Sequence, residues 1–301
     1  MTIKLPNADV YHVGLHKTGS TFLSSHVFPL FDDESVRQHD HTMYGNFYEW
    51  LVSGHPHVLF ANNYISGEPD RSNCDGLAGI HAINPKAKII ISIRSQTTML
   101  RSIYWLCVKT GDARSFEQFV ADIIANGKLD YDTLVESYRK VFGKANVLVL
   151  LFEELTGTPQ TTVERLARFF GVPAPAPASQ KPQPVKVTPG DLEIDIRRRL
   201  NVRATRRGHG RPHLANGVVG QAIIVASRWG DAAYKRMTDR RMNLLRLNDQ
   251  DRRLREAYGE SNRRLFASLC DTPYARRYPG LEQGIAAADD RAVLVEQGSN
   301  S

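Results

Sequence analysis

The chain has 301 residues, 42% hydrophobic and 24% charged, with 22 glycines and 15 prolines, a composition that excludes disordered and collagen-like classes. That length builds one large domain or two small ones, each with a real core. The net charge of +7 is uneven: residues 1–190 carry 18 Lys/Arg against 18 Asp/Glu, residues 191–280 carry 20 against 10, and residues 281–301 carry one against four.

From the N-terminus, short apolar runs alternate with helix-patterned stretches. Strands are expected at residues 10–14, 35–38, 57–61, 88–93 and 146–152, and helices at 20–28, 98–108, 116–126, 131–142 and 161–170. Continuous apolar strands separated by helices predict an α/β fold: a mostly parallel, three-layer sheet with helices on both faces. Six prolines between 173 and 189 mark an extended connector. Beyond it, helical patterning at 192–200, 218–247 and 251–269 predicts a basic C-terminal helical cap. The expected organisation is one domain over 1–280, made of a core (1–172), a connector (173–190) and a cap (191–280), with a flexible tail at 281–301.

Cys74, Cys107 and Cys270 are odd in number and widely spaced, so neither a disulfide framework nor a zinc knuckle is expected. The longest apolar runs fall far short of the ~20 residues that cross a bilayer, and the first six residues lack an apolar targeting stretch. A soluble, cytoplasmic protein is expected.

The sharpest motif is Val13-Gly14-Leu15-His16-Lys17-Thr18-Gly19-Ser20-Thr21, where the first strand should give way to a helix. Glycines allow a tight path in which successive N–H groups and the following helix start face an anion. A nucleoside-triphosphate loop, G-x-x-x-x-G-K-[ST], would place Lys directly after the second glycine. Here Ser20 stands there and the lysine is Lys17. The loop therefore keeps a phosphate cradle without the usual grip on outer phosphates.

Lys17-Thr18-Gly19-Ser20-Thr21 resembles the K-x-G-[ST]-T loop of bacterial-type members of the sulfotransferase superfamily. Arg94 and Ser102 stand eight residues apart, as in the pair with which that family binds the 3′-phosphate of 3′-phosphoadenosine 5′-phosphosulfate (PAPS). Val147 to Leu155, ending Glu153-Glu154-Leu155, and Tyr258 to Leu265 add weaker echoes. The resemblance implies a P-loop-like fold. It also implies transfer of a sulfuryl group from PAPS to an acceptor hydroxyl, with 3′-phosphoadenosine 5′-phosphate (PAP) as product and no metal. It gives Lys17 the catalytic cation's role, assigns His16, Lys17, Thr18, Gly19, Ser20 and Thr21 to the donor's 5′ side, and gives Arg94 and Ser102 its 3′-phosphate. Arg206, Arg207 and Arg211 are candidates for a basic clamp. An attacking hydroxyl needs a base, and near the end of the second strand His39, Asp40 and His41 qualify, with Asp40 preferred over His41. Some bacterial-type relatives carry Ser-Asn-Glu-x-Leu-Ser-Gly after the third strand. Here Asn63 replaces that Glu, and Asn is no base.

Carbohydrate or glycolipid hydroxyls are the first choice of acceptor. The rival readings are a nucleotide or small-molecule kinase, which the missing Lys after Gly19 disfavours, and a metal enzyme built on His39/His41 and His55/His57, which leaves the loop unexplained. A third is a basic protein binding nucleic acid or an acidic membrane surface through the apolar stripe around Ile223 and Trp229. Nucleic acid is not expected as a partner, and peripheral membrane contact stays open.

Overall fold

The computed structural model describes residues 10–13, 17–31, 37–40, 58–61, 74–127, 129–176, 188–206, 218–238, 244–245, 247–269 and 272–281. Five parallel strands form one sheet: β1 (Val10–His12), β2 (Arg37–Asp40), β3 (Val58–Ala61), β4 (Lys88–Ile93) and β5 (Val147–Leu151), in the order β2-β3-β1-β4-β5. In β1, Tyr11 pairs with Phe60 on one side and Ile89 on the other.

β4, Lys-Ile-Ile-Ile-Ser-Ile, is buried along nearly its whole length. Its side chains alternate between two cores, as the two-residue period of a strand requires. Ile89, Ile91 and Ile93 join Tyr11 and Val13 in one cluster. Ile90 faces the opposite way, with Val10, Leu150, Leu23, Phe28 and Leu166. The expected three-layer α/β architecture is what this pattern produces.

The first face is covered by α3 (Gln96–Thr110), α4 (Phe116–Ala125) and α5 (Tyr131–Phe142). α2 (Cys74–Ile83) contributes Ile80 to the same core. This helix was not expected, since Gly76 and Gly79 lower its propensity; burial of Ile80 outweighs that. The second face is covered by the helical stretch after the loop and by α7 (Pro159–Phe170). Between β5 and α7, α6 (Phe152–Gly157) starts directly where the strand ends.

The segment expected as one helix over 20–28 is a composite: α1 (Ser20–Phe22), a π-helical turn over Leu23–Val27, then a 3-10 turn over Phe28–Phe31. Pro29 explains the change. It has no N–H to return to the carbonyl of Ser25, and its ring crowds that carbonyl, so the turn before it widens.

α8 (Asp191–Arg206) packs on α3 and on α9 (Val218–Thr238), and α10 (Leu247–Ser268) packs on α3, α4 and α5. The single stretch expected over 218–247 is interrupted, with Leu244 and Leu245 in a turn. The amide of Leu245 donates to the carboxylate of Asp191 at 3.3 Å. The end of the proline-rich connector is not extended away from the body. Arg101 donates to the carbonyl of Pro189 at 2.6 Å and pairs with Asp191 at 2.9 Å. Residues 177–187 lie outside the described residues. Among the described residues no helix is long and apolar enough to cross a membrane.

Candidate active site

From β1 the chain passes to β2 and β3 on one side, and from β4 it passes to β5 on the other. The carboxyl ends of β1 and β4 therefore lie side by side where the winding reverses, the position at which open α/β sheets leave a crevice for ligands. The loop containing Lys17 follows β1, and Arg94 follows β4.

The loop has an unusual backbone. Lys17 has φ 68° and Gly19 φ 91°, both in the left-handed region that L-residues other than Gly enter at a cost. Glycine is required at position 19 for a second reason: a Cβ there would lie 2.9 Å from Leu155 and 3.0 Å from Phe152. The loop thus packs directly on the start of α6. Thr18 is buried, and the hydroxyl of Ser20 is buried without a hydrogen-bond partner among the described residues.

Arg94 crosses to this loop. Its Nη1 donates to the carbonyl of Lys17 at 3.1 Å and its Nε to Thr98 Oγ1 at 2.9 Å, while the guanidinium lies 4.2 Å from the ring centre of Phe152. Its own carbonyl accepts the hydroxyl of Tyr131 at 2.7 Å. Burial draws the Arg94 pKa down and the carboxylate of Glu153 opposes this; an arginine in such a setting stays charged.

Ser102 lies eight residues farther along, two turns into α3, and is buried. Its hydroxyl is 3.2 Å from the hydroxyl of Thr188. Asp40 ends the edge strand β2, paired with Ala61 of β3. One strand intervenes between β2 and β1, so Asp40 is about 10 Å across the sheet from the end of β1. The backbones of Thr21 and Arg206 lie within α1 and α8. His16, His41, Asn63, Arg207 and Arg211 fall outside the described residues. The fold therefore brings Lys17 and Arg94 into contact and sets Ser102 on the helix that Arg94 precedes.

Two residues of this region carry no role assigned from the sequence. His12, in the central strand just before the loop, is fully buried, and its Nε2 is 2.7 Å from Ser92 Oγ. Burial pulls its pKa down to about 4, so it is neutral near pH 7. Glu153, 4% exposed, accepts the amide of Ser95 at 3.0 Å and the hydroxyl of Tyr278 at 2.9 Å. Burial raises its pKa, while those hydrogen bonds and Arg94 lower it. Both adjacent glutamates after the apolar run are buried, and the sequence carried no hint that Glu153 would stand behind Arg94 while Glu154 pairs with Arg165.

A family model described as the sulfotransferase family matches residues 26–176, which is 151 of the 301 residues. The match starts after Lys17–Thr21 and includes Arg94, Ser102 and Glu153. Among solved structures, the chain is similar to a sulfotransferase from Alicyclobacillus acidocaldarius, with 20% identity, 60% of this chain and 88% of that one covered, and a TM-score of 0.45. It is also similar to mouse sulfotransferase SULT7A1 complexed with PAP, with 15% identity, coverages of 57% and 61%, and a TM-score of 0.41. The sulfotransferase domain from the curacin biosynthetic pathway gives 14% identity, coverages of 57% and 76%, and a TM-score of 0.38. No curated protein matches the chain.

Proposed function

The chain belongs to the sulfotransferase family, and on that premise we propose that it moves a sulfuryl group from PAPS to an acceptor hydroxyl, releasing PAP. The observation that carries this reading is the contact between Arg94 and the left-handed Lys17–Gly19 loop at the reversal point of the sheet. The residues fit such a donor. The buried Ser20 hydroxyl has no hydrogen-bond partner among the described residues, and a hydroxyl in that state costs free energy until something accepts or donates to it. Gly19 lets the loop lie against Leu155 and Phe152, where a Cβ would come within 3.0 Å of both side chains. The guanidinium of Arg94 has five N–H donors, of which two are engaged among the described residues, by Lys17 and Thr98.

When bound, PAPS supplies sulfur activated by a good leaving group. The chain's part is to bind it, to neutralise charge and to move one proton. In this reading His16, Thr18, Gly19, Ser20 and Thr21 contribute amides and hydroxyls to the 5′-phosphate side. Lys17 supplies a cation toward the oxygen on which charge grows, an interaction stronger in the transition state than in the ground state. Arg94 and Ser102 take the 3′-phosphate; for that, Ser102 exchanges its contact with Thr188 for the ligand. Arg206, Arg207 and Arg211 close over the nucleotide. Asp40, ahead of His41, accepts the acceptor's proton. We assign the enzyme to the cytoplasm and its acceptor to the carbohydrates or glycolipids.

Incubation of the purified chain with sulfur-labelled PAPS and a panel of sugars, glycolipids, phenols and amines tests this proposal. Transfer to at least one hydroxyl acceptor is expected, falling about 10²-fold or more in Lys17→Ala, the scale for losing one group that stabilises developing charge. Label transfer at an unchanged rate in Lys17→Ala, or none to any acceptor, overturns it.

A further inference from the structure

Glu153 has no part in the roles just assigned, yet it lies behind Arg94 at the point where β5 turns into α6. A carboxylate this deeply buried is unfavourable unless its oxygens are hydrogen-bonded. Each of them accepts a bond. One oxygen holds the amide of Ser95, the residue next to Arg94, and the other holds Tyr278 near the end of the described chain.

Other contacts converge on the same junction. The hydroxyl of Ser95 donates to the carbonyl of Arg277 at 2.6 Å. Gln96 donates to Asn262 of α10 at 2.9 Å, and Asn262 donates to the carbonyl of Pro279 at 2.9 Å. The ring of Tyr278 meets that of Tyr131 edge-on, with centroids 6.5 Å apart, and Tyr131 in turn holds the carbonyl of Arg94. Gly280, at φ 85°, sits so close to Gly259 that any Cβ would strike its backbone. Residues 277–280 are thereby fastened to the turn that carries Arg94, although more than 180 positions separate them in sequence. Glu153 is the residue that binds both partners at once.

We propose that Glu153 is a positioning residue of the donor site: by joining the Ser95 amide to Tyr278 it fixes the Arg94 turn against the C-terminal segment, so that the guanidinium stands at the loop before the donor arrives. This rests on the reading of Arg94 as a phosphate ligand. Its physical content is preorganisation, in which the cost of ordering the ligand-binding group is met during folding rather than during binding.

The test is calorimetric titration of PAP into wild type, Glu153→Ala, Glu153→Gln, Tyr278→Phe and the Glu153→Ala/Tyr278→Phe double variant. Amide exchange of residues 94–97 and 276–280 is followed in parallel. Affinity is expected to fall about tenfold in Glu153→Ala, a 1.4 kcal/mol change, and severalfold in Tyr278→Phe. The double variant is expected to be no weaker than Glu153→Ala, since the two residues act through one contact. Glu153→Gln, which keeps an acceptor for Ser95, should recover most of the affinity. Exchange at 94–97 should quicken wherever affinity drops. A melting temperature that falls while the folded variants bind PAP as wild type does indicates a merely structural role and overturns the proposal. If Glu153→Ala does not fold, Tyr278→Phe decides, and wild-type affinity in that variant overturns the proposal. If wild type itself does not bind PAP, the donor reading fails on its own account. The fastening is then judged by exchange alone, and unchanged protection at 94–97 in Tyr278→Phe overturns it.

Discussion

Lys17 occupies left-handed backbone space without being glycine, a conformation that costs roughly 1–2 kcal/mol. It persists because Arg94 holds its carbonyl and because Gly19 lets the loop settle on Leu155 and Phe152. Strain held in place by surrounding contacts is a common mark of a binding loop. Replacing Gly19 with Ala should therefore destabilise the fold by about 1–3 kcal/mol in urea titration and abolish the stabilisation that PAP gives in a thermal melt. A variant as stable and as ligand-responsive as wild type would remove the conformational argument. His12 supplies a second test. Its folded pKa is about 4 against an ordinary value near 6.5, so the unfolded chain binds the extra proton. Stability from this group is complete above about pH 6.5 and declines as pH falls toward 4, by about 3 kcal/mol in total. His12→Gln should flatten that part of the pH–stability curve relative to wild type; an unchanged curve would contradict the assignment. The loop could be picked out in the sequence because its chemistry demands glycine and lysine at set positions. The sequence placed His12 in a strand of a covered sheet but not beside Ser92, a neighbour that only the sheet order supplies.

At the scale of elements, continuous apolarity announces a buried parallel strand, and for that reason β4 was expected with the bounds it has. Helices were harder wherever local and tertiary preferences disagree. α2 forms despite two glycines, and the stretch after the loop changes helix type ahead of Pro29. Prolines at 173–189 suggested an open connector, yet its end is attached to α3 through charges that only the fold brings together. Asp191, nearly buried, accepts from Arg101 and from the amide of Leu245, and so joins α3, α8 and the turn before α10. Removing one partner of a buried ion pair leaves the other uncompensated. Asp191→Ala should accordingly lower unfolding free energy by about 3 kcal/mol, read from the urea midpoint at unchanged slope. A loss within error of zero would show that the connector's attachment contributes nothing.

For the whole molecule, the strand order puts the ends of β1 and β4 together and sends Asp40 to the far side of β3, an arrangement no local pattern in the chain specifies. The excess of cations in residues 191–280 underlay the rival reading of a basic protein that binds nucleic acid or an acidic membrane surface. Much of it is paired: Arg197 and Arg228 with Glu193, Arg198 and Arg199 with Asp195, Arg253 with Glu117, and Arg264 with Asp132. Donor recognition is therefore expected to depend on a few charges at the crevice. The apparent donor KM should rise severalfold as ionic strength increases from about 0.05 to 0.5 M, because screening weakens exposed charge pairs most. The most direct test of the central claim, that the crevice at the reversal of the sheet holds the donor nucleotide through Arg94, is titration of PAP into wild type and Arg94→Ala by calorimetry. One site per chain is predicted, at least about tenfold weaker in the variant, the scale of one charge-assisted phosphate contact. Absence of binding to wild type, or equal affinity in Arg94→Ala, would contradict it.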